Sequence, residues 1–398
     1  MTNLPQGWEV KKLEEIANIK GGKRLPKGKN LLDNNTKFAY IRVADFQDNG
    51  TINLQNIKFI NENTYNVLKN YKIYDDNLYI SIAGTIGKSG IIPKELNGAI
   101  LTENAVKLEY IQNNISNKFM YFFTLSNIFK TQIQTSTKIV AQPKLAITRL
   151  KQIQIPLPPL KEQERIVGIL DESFAKIDES IKILEQDLLN LDELMQSALQ
   201  KAFNPLKDNA KENYKLPQSW EWKSLEEISE NISAGGDKPK NCTESKTAKN
   251  QIPVYANGVN NNGLVGYTDK ATIIKPSLTI SARGTIGFVC IRKEPYFPIV
   301  RLISLIPCEN ILCLHYLYFC LNFFIAKGEG SSIPQLTIPK FKSLQIPLPP
   351  LKEQEQIAEH LDFVFEKAKA LKELYTKELK DYEELKQSLL NKAFKGEL

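Results

Sequence analysis

The sequence predicts an α+β protein, in which two globular α/β domains are separated by two long antiparallel coiled-coil helices in a pseudo-twofold tandem repeat. Three observations support this prediction. Residues 155–164 recur letter for letter at 346–355, so the chain contains two copies of one module. A long helical pattern of apolar residues follows each copy, and β-rich runs precede each copy.

Weaker echoes of the repeat surround the identical motif. The opening Leu-Pro-Gln-Gly-Trp at 4–8 returns as Leu-Pro-Gln-Ser-Trp at 216–220, and Gly-Thr-Ile-Gly at 84–87 returns at 284–287. The distance between matching residues shrinks along the chain, so the first module is the longer one before the shared motif. The N-terminal part of the module therefore varies in length, while the C-terminal part is constant.

A long helix is predicted to begin at Leu160 in the first module and at Leu351 in the second. Two prolines precede each start, and acidic residues occupy the first turn, where the helix dipole favours them. Apolar residues then recur every three or four positions, as in the seam of a coiled coil. The first seam contains Phe174, Ile177, Ile181, Leu184, Leu188, Leu191, Met195 and Ala198, and the second contains Val364, Ala368, Leu371, Tyr375, Leu379, Tyr382, Leu385 and Leu389. We expect the helices to bury these seams against each other.

The segments before the helices predict mixed globular domains. Runs rich in β-forming residues, at 38–43, 77–82 and 278–282, are separated by Gly, Asn, Pro and Asp turns. The predicted boundaries are a first globular domain at 1–155, a helical spacer at 156–205, a second globular domain at 206–346 and a second spacer at 347–398. The polar stretch 207–213 is the expected linker.

Composition excludes several classes of protein. With 42% hydrophobic and 24% charged residues, the chain has ordinary globular usage. Its five cysteines show no C-x-x-C spacing, so reduced, mostly buried thiols and a cytoplasmic location are expected. The N-terminus lacks the pattern of a secretory signal. The apolar segment 311–326 is short for a membrane span and contains His315 and Asn322, so a buried helix is predicted.

Charge is segregated by domain. Residues 1–160 carry a net charge of +9 and residues 204–351 carry +5, whereas the helical segments 161–203 and 352–398 carry −5 and −2. Basic globular domains attract phosphate. The alternative is that the lysine-rich surface only keeps the protein soluble. Solubility alone, however, gives no reason for the helices and the globular domains to carry net charges of opposite sign.

The sequence carries no recognisable catalytic motif. Gly87-Lys88-Ser89 resembles the end of a phosphate-binding loop, but Ile82 stands where the first glycine of that loop belongs, so a turn between strands is predicted instead. The histidines, His315 and His360, have no nucleophile pattern nearby. Short Glu-x-Lys sequences lack the Pro-Asp of a nuclease site, and no Asn-Pro-Pro-Tyr or Asn-Pro-Pro-Phe motif of adenine methyltransferases occurs. No catalytic residue, metal site or cofactor is predicted in this chain.

Together these features resemble the specificity subunit of type I restriction-modification systems over essentially the whole chain. The resemblance rests on Ile-Pro-Leu-Pro-Pro-Leu-x-Glu-Gln at 155–163 and 346–354, each followed by a long helix, on the Leu-Pro-x-x-Trp openings and on the Gly-Thr-Ile-Gly turns. It implies a non-catalytic subunit that reads a bipartite, asymmetric site in double-stranded DNA. Each globular domain is then a target recognition domain for one half-site, and the helices set the spacing and dock two methyltransferase subunits.

The resemblance also implies further partners and the site residues. Restriction/translocase subunits complete the complex, and S-adenosylmethionine, ATP and Mg are expected on partner subunits. The expected DNA-binding residues are Lys23, Arg24, Arg42, Asp45, Thr85, Lys88, Lys138, Gln142 and Lys144 in the first domain, and Tyr255, Asn257, Asn260, Arg283, Thr285, Ser331 and Gln335 in the second. Arg and Asn suit base edges, and Lys suits phosphate. The expected partner-binding residues are Leu184, Leu188, Leu191, Tyr375, Leu379 and Tyr382.

The long helices also allow the geometry of the DNA target to be predicted. Two recognition domains on one face of a duplex lie about one turn of DNA apart, so two unlike half-sites around a gap of about five to eight base pairs are expected. The alternative function is a free-standing DNA-binding protein, or a decoy that competes for methyltransferase subunits, because such a protein needs the same surfaces.

Overall fold

A computed structural model describes residues 4–136, 144–203, 217–325 and 336–398. The predicted linker at 207–213 lies outside these residues. The chain forms two compact units, one of Met1–Leu184 with Lys377–Leu398 and the other of Glu185–Thr376. Each unit therefore contains one globular domain together with a segment of each long helix.

The first globular domain mixes short strands and helices, and the first long helix follows it. In chain order its elements are β1 (Glu9–Lys12), α1 (Leu13–Ile16), β2 (Ala17–Gly21), β3 (Ala39–Ile41), β4 (Lys58–Phe59), α2 (Glu62–Leu68), β5 (Lys72–Ile73), β6 (Leu78–Ser81), β7 (Ser89–Ile91), β8 (Ala99–Leu101), β9 (Ala105–Tyr110), α3 (Asn117–Leu125), α4 (Asn127–Ser136), α5 (Ile147–Lys151), β10 (Gln154–Leu157) and α6 (Leu160–Phe203).

Three sheets organise this domain. The first is antiparallel, in the order β2-β9-β6-β7, and the second has the order β4-β3-β8-β5, in which β3 and β8 are parallel. The third pairs β1 with β10, so the opening of the module is joined to its Pro-rich motif. Leu78 and Val106 of the first sheet pack against Phe119 and Phe123 of α3, which forms the core.

The second globular domain follows the element order of the first, but it has no counterpart of α2 and β5 between β14 and β15. Its elements, with the second long helix, are β11 (Glu221–Ser224), α7 (Leu225–Ile228), β12 (Ser229–Ala234), β13 (Ile252–Tyr255), β14 (Leu264–Thr268), β15 (Ser277–Ile280), β16 (Val289–Arg292), β17 (Phe297–Pro298), β18 (Ile303–Pro307), α8 (Leu314–Phe324), α9 (Ile338–Lys342), β19 (Gln345–Leu348) and α10 (Leu351–Ala393).

The sheets of the second domain follow the same plan. They have the orders β12-β18-β15-β16 and β14-β13-β17, and β11 pairs with β19. The tandem repeat read from the sequence is thus confirmed in the topology of each domain. The Gly-Thr-Ile-Gly segments connect β6 to β7 and β15 to β16, as predicted.

The apolar segment at 311–326 contains α8, whose side chains pack into the core of the second domain as predicted. None of the described helices combines the length and apolarity needed to cross a bilayer. The five cysteines are free thiols. Cys320 is buried, which raises the pKa of its thiol, but the other four are partly exposed, so the expectation of mostly buried thiols is wrong.

The long helices begin at the predicted residues, and their seams are largely buried. Every residue of the predicted α6 seam is buried or half-buried. In α10, however, Leu371 is 39% exposed and Leu385 is 45% exposed, so the predicted second seam is wrong at these positions. Each residue turns a helix by about 100°, which places Leu385 roughly 80° around the helix from Tyr375, at the flank of the seam.

The two helices run antiparallel within each unit. In the first unit Lys386 Nζ lies 2.5 Å from Asp178 Oδ1, and Arg165 donates to the backbone oxygen of Leu398 at 2.7 Å. In the second unit Lys372 pairs with Asp192. Each helix also ends in the core of a globular domain: Phe394 stacks on Phe119 and Phe123 of the first, and Phe203 stacks on Tyr316 of the second.

A buried glutamine of the repeated motif makes matching hydrogen bonds in the two modules. Gln163 is 1% exposed, and its amide accepts from Ser116 N–H at 2.9 Å and donates to the carbonyls of Asn114 and Pro158. Gln354 makes the matching bonds, with Cys313 N–H as donor and the carbonyls of Ile311 and Pro349 as acceptors. Each amide therefore ties the start of a long helix to the segment before α3 or α8.

Replacing Gln163 with Ala is expected to lower the free energy of unfolding by about 1–3 kcal/mol. The buried carbonyl of Pro158 loses its partner, which costs about 1–3 kcal/mol, whereas Ser116 N–H and the carbonyl of Asn114 are only part-buried and add less. Urea unfolding monitored by circular dichroism measures the effect. Gln196→Ala on the exposed side of the same helix is the matched control. Equal transition midpoints for the two variants would contradict the bracing role of Gln163.

Candidate nucleic-acid interface

Four segments meet at one edge of the first four-stranded sheet, which we call the first edge. They are the residues after β2, the β8–β9 loop, the β6–β7 turn and the residues before α5. Backbone hydrogen bonds of 2.8–2.9 Å join them, from Gly22 N–H to Ala105 O, from Lys23 N–H to Leu101 O, from Ile82 N–H to Asn104 O and from Leu145 N–H to Ile82 O. The predicted residues Lys23, Arg24, Thr85, Lys88 and Lys144 lie on these neighbouring segments.

Two glycines allow the segments to approach so closely. A Cβ at Gly22 would collide with the carbonyl oxygens of Leu101 and Thr102, and a Cβ at Gly235 would lie 2.6 Å from the backbone nitrogen of Ile299. Only glycine fits where two backbones touch in this way. The position is the same in both domains, at the residue after β2 and after β12.

Two cations of the first edge have acidic partners within the domain. Arg24 Nε lies 2.6 Å from Glu103 Oε1, although the Arg24 side chain is 79% exposed. Burial opposes ionisation of Glu103, but the hydrogen bonds from Arg24, from the Glu103 backbone and from Thr102, together with the charge of Arg24, outweigh it and lower the pKa of Glu103. Lys88 Nζ lies 2.7 Å from Asp48 Oδ1. These pairs orient the cations and reduce the charge that they offer to DNA.

The remaining predicted residues of the first domain differ in accessibility. Lys23, Thr85 and Lys144 are exposed, so they are available to a ligand. Arg42 forms a two-point ion pair with Asp45, with distances of 2.5 and 3.0 Å. Asp45 is 1% exposed, and its carboxylate also accepts from Arg42 N–H. Asp45 thus braces Arg42, and a direct contact of Asp45 with DNA would require this segment to rearrange.

The corresponding edge of the second domain, the second edge, is built from the matching segments. It comprises the residues after β12, the β17–β18 loop, the β15–β16 turn and the residues before α9. Their backbone hydrogen bonds run from Gly235 N–H to Leu302 O, from Val300 N–H to Gly236 O, from Arg301 N–H to Gly235 O and from Leu336 N–H to Ala282 O. Arg283 and Thr285 are exposed on the turn, so these two predicted residues lie together on this surface.

Three other predicted residues of the second domain lie next to this edge. The Tyr255 ring is covered by the guanidinium of Arg292, which lies 3.5 Å from the ring centroid, so that face of the ring is not free to stack on a base. Asn257 is half-buried, and its amide bonds to Val300 O and Ala282 N–H. Asn260 is exposed at the start of a short turn before β14.

Four predicted residues, Lys138, Gln142, Ser331 and Gln335, lie outside the described residues. The six predicted partner-binding residues all lie in the seam between the helices. Leu184 and Leu191 are each 8% exposed, and Leu188, Tyr375, Leu379 and Tyr382 are half-buried. Within the described ranges, no group of three or more His, Cys, Asp or Glu side chains is arranged to hold a metal ion.

Val300 and Arg301 are edge residues that the sequence analysis missed. Both are exposed on the β17–β18 loop, beside the predicted Arg283 turn. Strand register aligns them with Glu103 and Asn104 of the first domain, because Val106 pairs with Gly21 as Ile303 pairs with Ala234. Neither aligned pair is identical in sequence, so only the backbone pairing reveals the match.

The fold defines a protein of two tandem α/β domains with paired long helices, and comparison with known proteins assigns its family. A family model for the type I restriction modification DNA specificity domain matches residues 5–188 and 217–380. The matched segments cover most of the chain and include one globular domain each. The chain therefore belongs to the specificity subunits of type I restriction-modification systems, with two tandem target recognition domains. Members of this family are in general non-catalytic.

Individual relatives agree with this assignment. The chain is 29% identical to a protein of Mycoplasma pneumoniae named as a type I specificity subunit, over 88% of this chain and 87% of the relative. A chain from a structural study of complex assembly and conformational transition in a type I restriction-modification system has a TM-score of 0.82 and 20% identity, with full coverage of both chains. The HsdS subunit of Thermoanaerobacter tengcongensis has a TM-score of 0.62 and 20% identity, over 100% of this chain and 98% of that one. These two likenesses support the fold.

Proposed function

We propose that the first edge and the second edge each read one half of a split DNA target. The observation that carries this proposal is that the two edges are built from matching segments but carry basic residues at different aligned positions. The first edge has Lys23 and Arg24 after β2, where the second has Gly236 and Asp237. The second edge has Arg283 on its turn and Arg301 on its loop, where the first has Ala83 and Asn104. A shared scaffold with different side chains suits two unlike half-sites.

The charge of the domains supports DNA as the ligand. Both globular domains are basic and both long helices are acidic, so phosphate is attracted to the domains rather than to the helices. Exposed Lys23 and Lys144 are suited to phosphate contacts that set the position of the domain on the duplex. Nothing in the structure or in the comparisons favours a free-standing DNA-binding or decoy protein.

The long helices are the proposed docking surface for two methyltransferase subunits. In the second unit Leu189, Leu194, Phe363 and Leu374 are 52–59% exposed on the helices, and in the first unit Ile183 is 56% exposed. Burial of these apolar side chains by a partner would favour association. The seam residues then act indirectly, because they hold the helices together. Restriction/translocase subunits, with S-adenosylmethionine, ATP and Mg on the partner subunits, complete the proposed complex in the cytoplasm.

Binding of duplex DNA by the purified full-length chain tests the role of the first edge. We expect the logarithm of affinity to fall linearly with the logarithm of salt concentration, and Lys23→Ala with Lys144→Ala to reduce that slope by about 1.8, since each phosphate contact contributes about 0.9. Fluorescence anisotropy across a salt series measures both slopes, and the chain alone is expected neither to cleave nor to methylate the DNA.

The control variant removes the same charge elsewhere. Lys94 is exposed between β7 and β8, at the end of the sheet opposite the β6–β7 turn, and Lys161 is exposed on α6. Lys94→Ala with Lys161→Ala should leave the slope close to that of the wild type. Equal slopes for the two double variants would show that the first edge does not contact phosphate.

A further inference from the structure

The β17–β18 loop of the second domain has an unusual backbone. Val300 and Arg301 have φ values of 54° and 59°, in the left-handed region that residues other than glycine rarely adopt. Valine is especially unfavourable there because its side chain branches at Cβ. Such strain persists only where the surrounding structure enforces it, and it concentrates at functional sites.

The fold itself does not require this strain. In the first domain the matching residues, Glu103 and Asn104, are not among the described residues with positive φ. There, Ile82 N–H donates directly to the carbonyl of Asn104 at 2.8 Å, so the β6–β7 turn and the β8–β9 loop bond to each other. The strained conformation therefore belongs to the second domain alone.

A single side chain joins the corresponding segments in the second domain. Asn257 Oδ1 accepts from Ala282 N–H at 2.8 Å, and Asn257 Nδ2 donates to the carbonyl of Val300 at 2.7 Å. The amide thus takes the place of the direct backbone bond in the first domain. Ala282 precedes Arg283, and Val300 precedes Arg301. Asn257 consequently holds the two segments that carry the exposed arginines.

Both guanidinium groups are available to a ligand. Arg283 and Arg301 are exposed, and among the residues that the structure describes neither side chain has a hydrogen-bond or ion-pair partner. This contrasts with Arg24 of the first edge, which is paired with Glu103, and with Arg292 of the second domain, which is buried on Tyr255. An unpaired arginine can form two parallel hydrogen bonds with O6 and N7 of guanine.

We propose that Arg283 and Arg301 are a pair of specificity-determining residues that read guanines in the second half-site, and that Asn257 is the positioning residue for both. The proposal rests on the proposed function, because it assumes that the second edge meets the major groove. Asn257 then does not read a base itself, since both ends of its amide are committed to the protein backbone. The strain at Val300 and Arg301 is the consequence of presenting the second arginine beside the first.

Selection of bound duplexes from a randomised pool by the full-length chain tests this proposal. Arg301→Ala is expected to reduce the preference for guanine at one position of the second half-site by about 5- to 150-fold, and Arg283→Ala to do so at another. Arg301→Lys keeps the charge but not the paired hydrogen bonds, so it should lose the same preference while retaining affinity for unrelated DNA. Lys293→Ala, an exposed site at the opposite end of β16, is the control and should change no position.

Variants of Asn257 separate positioning from direct reading. Asn257→Ala should relax both guanine positions together, whereas a residue that reads one base would affect only its own position. Asn257→Asp keeps the acceptor for Ala282 N–H but loses the donor to Val300 O, so it should relax mainly the Arg301 position. Thermal melting of each variant verifies that the domain is folded.

The outcomes also distinguish this proposal from the proposed function. An unchanged preference in Arg301→Ala, or an equal loss of affinity for every sequence, would overturn the assignment of Arg301 as a base reader. If neither half of the selected sequence responds to substitutions or exchange of the second domain, the proposed function fails instead. A change confined to the first half-site in the Asn257 variants would overturn the positioning role.

Discussion

Exchange of the first globular domain is expected to change one half of the recognised DNA sequence completely and to leave the other half intact. Each domain has its own core and its own edge, so its contacts with bases are independent of those in the other domain. Loss of all base contacts in one half-site costs at least several kcal/mol of discrimination, since each mismatched base pair costs about 1–3 kcal/mol. This is the largest effect on specificity that we predict.

The structure determines where the exchange must be made. β1 pairs with β10, so a junction at residue 155 would divide a strand, and a junction after Leu157 keeps the pair together. The donor domain must also present apolar side chains at the positions of Phe119 and Phe123, because Phe394 packs on both. Sequencing of methylated sites in cells that carry the chimera measures the outcome. A simultaneous change of both halves would refute independent reading.

Disruption of the helical seam is expected to abolish assembly with methyltransferase subunits. Leu184→Asp with Leu191→Asp places two carboxylates at positions that are 8% exposed, and each unpaired charge there costs several kcal/mol. The globular domains keep their own cores, so DNA binding by the isolated chain should weaken much less than assembly. Size-exclusion chromatography of co-expressed subunits measures the assembly.

The control for this variant adds the same charge to the same helix. Gln196 and Gln200 are exposed on α6, so Gln196→Asp with Gln200→Asp should leave the complex intact. Full assembly of the seam variant would show that the pairing of the helices does not support docking. Loss of assembly in both variants would point to charge on α6 rather than to the seam.

Much of the fold could be predicted from the sequence because it depends on local patterns. The start of α6 at Leu160 follows from two prolines and an acidic first turn, and its seam follows from apolar periodicity. The repeated motif predicts two modules, and the topologies of the two domains agree with this. Periodicity alone misplaced Leu371 and Leu385, because the choice of which flank of a helix is covered depends on the partner helix.

The candidate site was predicted less completely. Arg283 and Thr285 lie on the second edge, and Lys23, Thr85 and Lys144 lie exposed on the first, but their contacts with DNA stay predictions. Asp45 pairs with Arg42 three residues earlier, and its burial is set by tertiary packing that the sequence pattern does not reveal. Val300 and Arg301 have no turn signature in the sequence, since neither glycine nor asparagine marks their left-handed backbone.

The sequence by itself determined the two modules, the long helices, the basic domains and the family, because repetition, periodicity and charge are properties of the order of residues along the chain. Only the tertiary structure decided that Gln163 and Gln354 tie each helix to its domain, and that Asn257 joins the segments of Arg283 and Arg301. These bonds connect residues that are between 25 and 47 positions apart. Which buried backbone group a side-chain amide satisfies is set by how distant strands and loops pack, and no local pattern encodes it.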